Sequence, residues 1–336
     1  MGGSAFPALP SAYSLSEAAS RTAHPLFGGV LQSEISLPSL PTLDSDRADW
    51  SVRISEEAPA SAAEFLGEER VNEAIRVRTA RLPGGFRLDF DDTGTFDITA
   101  SGTLITWHPN PSARQDLARA DLLGGVFAVA LHLQGVLCLH GSGVAIGDDA
   151  IGFLAAKGSG KSTLALALSV AGAQLITDDM LAVHPGPPAE VWPASPEVHL
   201  LEDSAGELRR RNSGDRNSVR GKYRVANLPS SGVTSKRCRL AALYELSPRD
   251  SLESEHAARR VRLPDGTAVM RLLRHPKIGE SLGRVERMAT FDRAARVARQ
   301  VPIYRLEIAH DFSRLPEAVR QIMSWHGAEP SLPDGG

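Results

Sequence analysis

The chain has 336 residues and a formal net charge of −3, long enough for one large or two modest domains with real cores, and the charge balance argues against a dedicated nucleic-acid binder. Its two cysteines, Cys138 and Cys238, fit neither a disulfide framework nor a metal cluster, which points to reduced thiols in a cytoplasm. The opening Met-Gly-Gly-Ser-Ala-Phe-Pro lacks the basic and apolar parts of a signal peptide, and no apolar run approaches the roughly 20 residues of a membrane helix, so a soluble cytoplasmic protein without a membrane partner is expected.

Residues 1–24 are rich in Ser, Ala and Pro and predict a mobile tail. From 25 to 134 a strand-rich domain is expected. Strand-like patterns run over 29–37, 49–54, 75–80, 86–90, 95–99 and 104–107, and short turns such as Pro83-Gly84-Gly85 and Asp92-Thr93-Gly94 make the later ones an antiparallel meander. Phe86, Phe96 and Trp107 are its expected core, and the segment is a candidate platform for recognising a substrate. Residues 116–133 are apolar on most faces and predict a buried connecting helix. The texture changes at Val136, where a second domain is expected over 135–327. It holds strands at 136–146, 151–155, 174–176, 223–227, 240–246 and 303–308, helices at 161–171, 266–273, 287–299 and 316–325, and a tail at 328–336. Together these predict an α/β protein with a smaller strand-rich N-terminal domain.

The chemistry concentrates in Ala155-Ala156-Lys157-Gly158-Ser159-Gly160-Lys161-Ser162-Thr163, between a predicted strand and a predicted helix. That context makes it a P-loop. Glycines at 158 and 160 let successive N–H groups curl around phosphate oxygens, and the helix beginning at Lys161 points its positive end at the same anion. Lys161 can reach the β and γ phosphates, and the Ser162 hydroxyl can ligate Mg²⁺, so ATP with Mg²⁺ is the expected ligand. The full pattern begins with glycine, and here Ala155 stands at that position.

Asp178-Asp179 closes the next predicted strand, and adjacent strands with their carboxyl ends together would turn both aspartates toward the γ phosphate. Two neighbouring carboxylates can divide the work, one holding the metal and the other accepting a hydroxyl proton. His140-Gly141-Ser142-Gly143 lies in the strand before the loop and brings His140 into the same neighbourhood.

Leu139-His140-Gly141-Ser142-Gly143-Val144, Gly158-Ser159-Gly160-Lys161-Ser162 and Leu175-Ile176-Thr177-Asp178-Asp179 together resemble the core of the HPr serine kinase/phosphorylase family, and in particular its HPr-kinase-related group, which includes lasso-peptide tail kinases. Ser33-Glu34-Ile35-Ser36-Leu37-Pro38 and Val301-Pro302-Ile303-Tyr304-Arg305-Leu306 are similar to that group as well. The resemblance implies a P-loop domain like that of phosphoenolpyruvate carboxykinase, Asp178 as the base on a serine hydroxyl, Asp179 on the metal, His140 close by, and a homo-oligomer. Thr163 stands where the bifunctional HPr enzymes carry an acidic residue, which ranks a ribosomally made precursor peptide above HPr as the serine-bearing acceptor.

Two basic sets remain. Residues 209–239 crowd Arg and Lys into one polar stretch, and Lys222 and Arg224 on its predicted strand are candidates for phosphate neutralisation. Arg284, Arg287, Arg293, Arg296 and Arg299 are expected on an exposed helix face. The alternatives to a peptide or protein serine kinase are a nucleotide-operated regulatory module and a kinase of a small-molecule alcohol.

Overall fold

The computed structural model describes residues 21–61, 64–70, 75–156, 158–194, 198–200, 218–219, 222–225, 234, 236–249, 256–277, 282–309 and 311–330. The protein is α/β, with two large sheets of mixed strand direction. The first sheet contains β1 (Thr22–Leu26), β2 (Gly29–Ser33), β3 (Trp50–Ile54), β4 (Glu64–Arg70), β5 (Arg76–Leu82), β6 (Gly85–Phe90), β7 (Gly94–Thr99) and β8 (Leu104–Pro109), in the order β1-β2-β3-β8-β7-β6-β5-β4. β5 to β8 form the expected meander, extended by β4, whereas β3 runs parallel to both β2 and β8. β1 begins at Thr22, inside the segment predicted as tail, and β4 has no counterpart among the predicted strands.

Phe96 stacks on Trp107, and Phe86 is buried beside them, as the small core predicted for this segment requires. A helix covers the sheet in three pieces: α1 (Gln115–Asp121), a π-helical turn (Leu122–Val126) and α2 (Phe127–Leu133). Phe127 is fully buried against Phe27 and Trp50, a burial that stabilises by roughly 1.5–3 kcal/mol. The same core takes in Cys138, Met180 and Ala182 from the second sheet. α2 is therefore apolar all round because it has packing partners on both sides.

The second sheet contains β9 (Leu137–Ile146), β10 (Asp149–Leu154), β11 (Gln174–Thr177), β12 (Met180–His184), β13 (Glu190–Val191), β17 (Cys238–Arg249), β18 (Ala258–Arg262) and β19 (Ile303–Ala309); the intervening β14 (Val198–Leu200), β15 (Ser218–Val219) and β16 (Lys222–Val225) form a small separate sheet. β9 and β10 make a hairpin through Gly147-Asp148, with Gly147 at φ +62°. β10 and β19 both run parallel to β17. One face packs on α3 (Lys161–Val170) and α6 (Leu315–Ser324), the other on α4 (Asp265–Leu272) and α5 (Arg284–Gln300). Arg284, Arg287, Arg296 and Arg299 are exposed on α5 as expected, but Arg293 turns inward, its Nη1 donating to His132 Nδ1 at 2.7 Å and to Val136 O at 3.3 Å.

Candidate active site

β10 ends at Leu154, and the chain turns through Ala155, Ala156 and Gly158–Gly160 into α3. Gly158 and Gly160 take left-handed φ of +84° and +86°, a conformation that costs glycine least. A Cβ added to Gly160 would meet nothing within 4 Å, so open space lies beside that residue. Gly160 caps α3 and has no side chain to accept from the first-turn N–H groups. Ala155 is buried and has no left-handed φ, so the missing first glycine needs no unusual backbone there. Lys161 is buried, and its Nζ donates to Ala155 O at 2.8 Å and Ala156 O at 3.1 Å, drawing the loop together. Ser162 is half-buried and Thr163 buried in the first turn. Lys157 lies outside the described residues.

The strand that ends at Asp178-Asp179 is not the neighbour of β10. β9 lies between them: Leu154 of β10 pairs with Gly141, and Thr177 of β11 pairs with Gly143 on the opposite side. β10 and β11 are each antiparallel to β9, so their carboxyl ends still emerge together, but flanking the His140–Gly143 segment. The two glycines are demanded by crowding. A Cβ on Gly141 would sit 2.7 Å from Phe153 O, and one on Gly143 would sit 2.8 Å from Leu181 Cδ1.

Between the glycines, fully buried Ser142 donates from Oγ to Asp178 Oδ1 at 2.8 Å and lies 3.2 Å from Asp178 O. Asp178 itself is buried. His140 Nδ1 lies 3.2 Å from Asp179 O and 3.4 Å from Asp179 Oδ1. The motif therefore divides its work, Ser142 holding one carboxylate and His140 facing the other.

Four side chains that the sequence analysis did not single out, Lys277, His275, Glu245 and Arg271, complete the cluster. The segment after α4 is pinned along β9: His140 N donates to His275 O at 2.7 Å, Lys277 N donates to Cys138 O at 2.9 Å, and Leu139 bridges Pro276. This places the Lys277 ammonium on Asp179 Oδ2 in a short ion pair. It also places His275 Nε2 3.5 Å from Glu245 Oε1, which Arg271 Nη1 reaches at 3.3 Å. Glu245 is the register partner of Leu154, one strand across from the start of the P-loop. The His275 pKa is pushed down, first by burial and further by the charges of Lys161 and His140, against the opposing pull of Glu245. A signal for these residues was available only in the bare run His275-Pro276-Lys277, which has no spacing characteristic of a site.

Lys222 and Arg224 stand on β16, opposite Val219 and His199 respectively, and β14 of their small sheet runs alongside α3. Their side chains, and most of the basic stretch 209–239, lie outside the described residues. Among the described residues no group of three or more His, Cys, Asp or Glu side chains converges as a metal cluster, and no helix is long and apolar enough to cross a membrane.

No family model matches the chain, and none of the curated proteins is similar to it. Among solved structures it is similar to the Hpr(Ser) kinase/phosphatase from Coxiella burnetii, at 13% identity over 57% of this chain and 99% of that one, with a TM-score of 0.28, an overlap too loose to carry a function.

Proposed function

We propose that the chain is a P-loop kinase that moves the γ-phosphate of ATP to a serine-type hydroxyl of a peptide or protein. The observation that carries this reading is the placement of β9, whose His140–Gly143 segment separates the P-loop on one side from the Asp178-Asp179 pair on the other by a single strand. In this reading the loop from Ala156 to Thr163 cradles the phosphates, its glycines in the left-handed conformation and the α3 N-terminus behind them. Lys161 leaves the carbonyls of Ala155 and Ala156 for the β and γ phosphates. Lys222 and Arg224 add positive charge from the small sheet.

Ser162 and Asp179 would hold Mg²⁺. The site fits such an ion: the donors are hard oxygens, and Asp179 already carries a cation, the Lys277 ammonium. Bound Mg²⁺ supplies charge neutralisation at the β and γ phosphates. The acceptor hydroxyl oxygen attacks the γ-phosphorus in line, its proton passes to Asp178, and the bond to the β–γ bridging oxygen breaks, releasing ADP. Ser142 fixes Asp178 for this task, and His140 faces Asp179, whose ion pair with Lys277 the metal would displace. Much of the acceleration then comes from positioning and charge neutralisation. A ribosomally made precursor peptide is the preferred acceptor over HPr.

The test incubates the full chain with γ-labelled ATP, Mg²⁺ and serine-bearing acceptors: HPr, lasso-type precursor peptides and free serine. Label on one acceptor, lost in Lys161→Ala and in Asp178→Asn while the latter still binds ATP, is the expected result. Tight ATP binding with label released only as free phosphate would replace this reading with a nucleotide-operated switch.

A further inference from the structure

Beyond the cluster at the P-loop, the carboxyl edge of the second sheet carries a group of arginines that the kinase chemistry does not use. Leu154, Glu245 and Arg305 are register partners across β10, β17 and β19. All three strands are parallel, so their carboxyl ends open on the same edge, where ligands of such sheets bind. At about 4.8 Å per strand, Arg305 lies roughly 10 Å along that edge from the start of the P-loop.

Two residues further along β19 is Glu307, whose side chain is 5% exposed. Three guanidinium groups converge on it. Arg249 Nη2 lies 2.8 Å and Arg305 Nη2 3.0 Å from Oε1, and Arg259 Nη1 lies 3.8 Å from Oε2. The arginine side chains are 48%, 41% and 67% exposed in the order Arg249, Arg305, Arg259. Among the described residues none of them has another acidic partner, so three positive charges share one buried carboxylate. A single glutamate needs one guanidinium to compensate its burial. All three guanidinium-bearing side chains are well exposed, held in place from below by Glu307.

We infer that Arg249, Arg259 and Arg305 form a subsite for an oxyanion of the phosphate acceptor, a carboxylate or a phosphate carried apart from the hydroxyl that is phosphorylated. This rests on the kinase reading and adds the substrate class to it: an acidic peptide. Guanidinium forks match planar or tetrahedral oxyanions, and the buried Glu307 pre-organises them so that little ordering remains to be done on binding. The edge geometry separates this subsite from the P-loop, so nucleotide and acceptor anion are bound by different cations.

The experiment measures fluorescence anisotropy of labelled serine peptides on the full chain saturated with Mg²⁺ and a non-hydrolysable ATP analogue. The peptides are matched in sequence and flank the serine with Glu, with phosphoserine or with Gln. At least one anionic peptide is expected to bind ten-fold or more tighter than the Gln peptide, with an affinity that falls as salt rises. Arg259→Gln, at the most exposed position, and Arg249→Gln combined with it are expected to erase that preference while leaving affinity for the ATP analogue unchanged. Arg249→Lys, which keeps the charge, is expected to retain part of it. Whichever of the Glu and phosphoserine peptides binds tighter identifies the oxyanion. Equal binding of anionic and neutral peptides to the analogue-loaded protein, or a preference that survives both Gln variants, overturns the subsite and leaves the kinase reading standing. Failure of the wild-type chain to bind the ATP analogue overturns both.

Discussion

The contact between His132 and Arg293 joins α2 to α5 and makes the stability of the protein depend on acid in a calculable way. Arg293 Nη1 donates to His132 Nδ1 at 2.7 Å, which requires a lone pair on that nitrogen and a neutral ring. Burial and the neighbouring Arg293 charge push the His132 pKa down to about 4, with Glu286 pulling weakly the other way. In the unfolded chain the same ring titrates near 6.5. Between those values the unfolded chain takes up a proton that the folded chain refuses. The stability held in the neutral ring is therefore complete above the unfolded pKa and is lost as pH falls through the folded one. At about 1.4 kcal/mol per pH unit, the loss across this interval comes to about 3 kcal/mol. The perturbation is His132→Asn, whose side-chain oxygen can accept from Arg293 but cannot titrate. Urea unfolding followed by tryptophan fluorescence, at steps from pH 8 to pH 4, gives the stability of both proteins. The difference between them should be constant above pH 7 and move in favour of the variant by about 3 kcal/mol by pH 4. Acid loss from all other groups cancels in that difference. A difference that stays flat, or an NMR titration of His132 with a midpoint near 6.5, would refute the reasoning.

Other outcomes follow from the same geometry. Under the proposed kinase reading, Ser142→Ala removes a hydrogen bond to a buried carboxylate worth about 1.5–3 kcal/mol, so kcat for phosphoryl transfer should fall roughly 10- to 100-fold while KM for ATP changes little; steady-state kinetics with varied ATP separates the two. In the same reading Lys277→Met takes the ammonium off Asp179, so the Mg²⁺ concentration giving half-maximal rate should fall, because the ammonium no longer competes for that carboxylate, and a Mg²⁺ titration of the rate reads it. Gly141→Ala forces a methyl group to within 2.7 Å of Phe153 O in the β9–β10 pair, and should cost about 1–3 kcal/mol, seen as a lower Tm.

Some of this was legible in the sequence, and the reasons differ by element. The strands of the meander and the apolar helix over 116–133 follow from period and composition, and they formed where expected, with a π turn at Leu122–Val126 as the irregularity. β4, with the sequence EFLGEER, and β18, with ARRVR, were not predicted. Both are edge strands, and edges carry charge because one side has no neighbour. The Asp178-Asp179 pair was placed near the P-loop by assuming adjacent parallel strands. It arrives there with β9 in between, and that intervening strand is why His140 and Ser142 touch the aspartates.

The sequence by itself determined the glycine loop between β10 and α3. A strand, two glycines in left-handed conformations and a helix start are contiguous in the chain, so local backbone preferences suffice to build them. Only the tertiary structure decided what surrounds it. Lys277 meets Asp179 across 98 positions of chain, and Glu245 meets His275 across 30, because strand pairing along β9 and β10 sets them side by side. Such neighbours leave no spacing in the sequence, since their proximity is fixed by hydrogen bonding between distant strands rather than by the period of any one element.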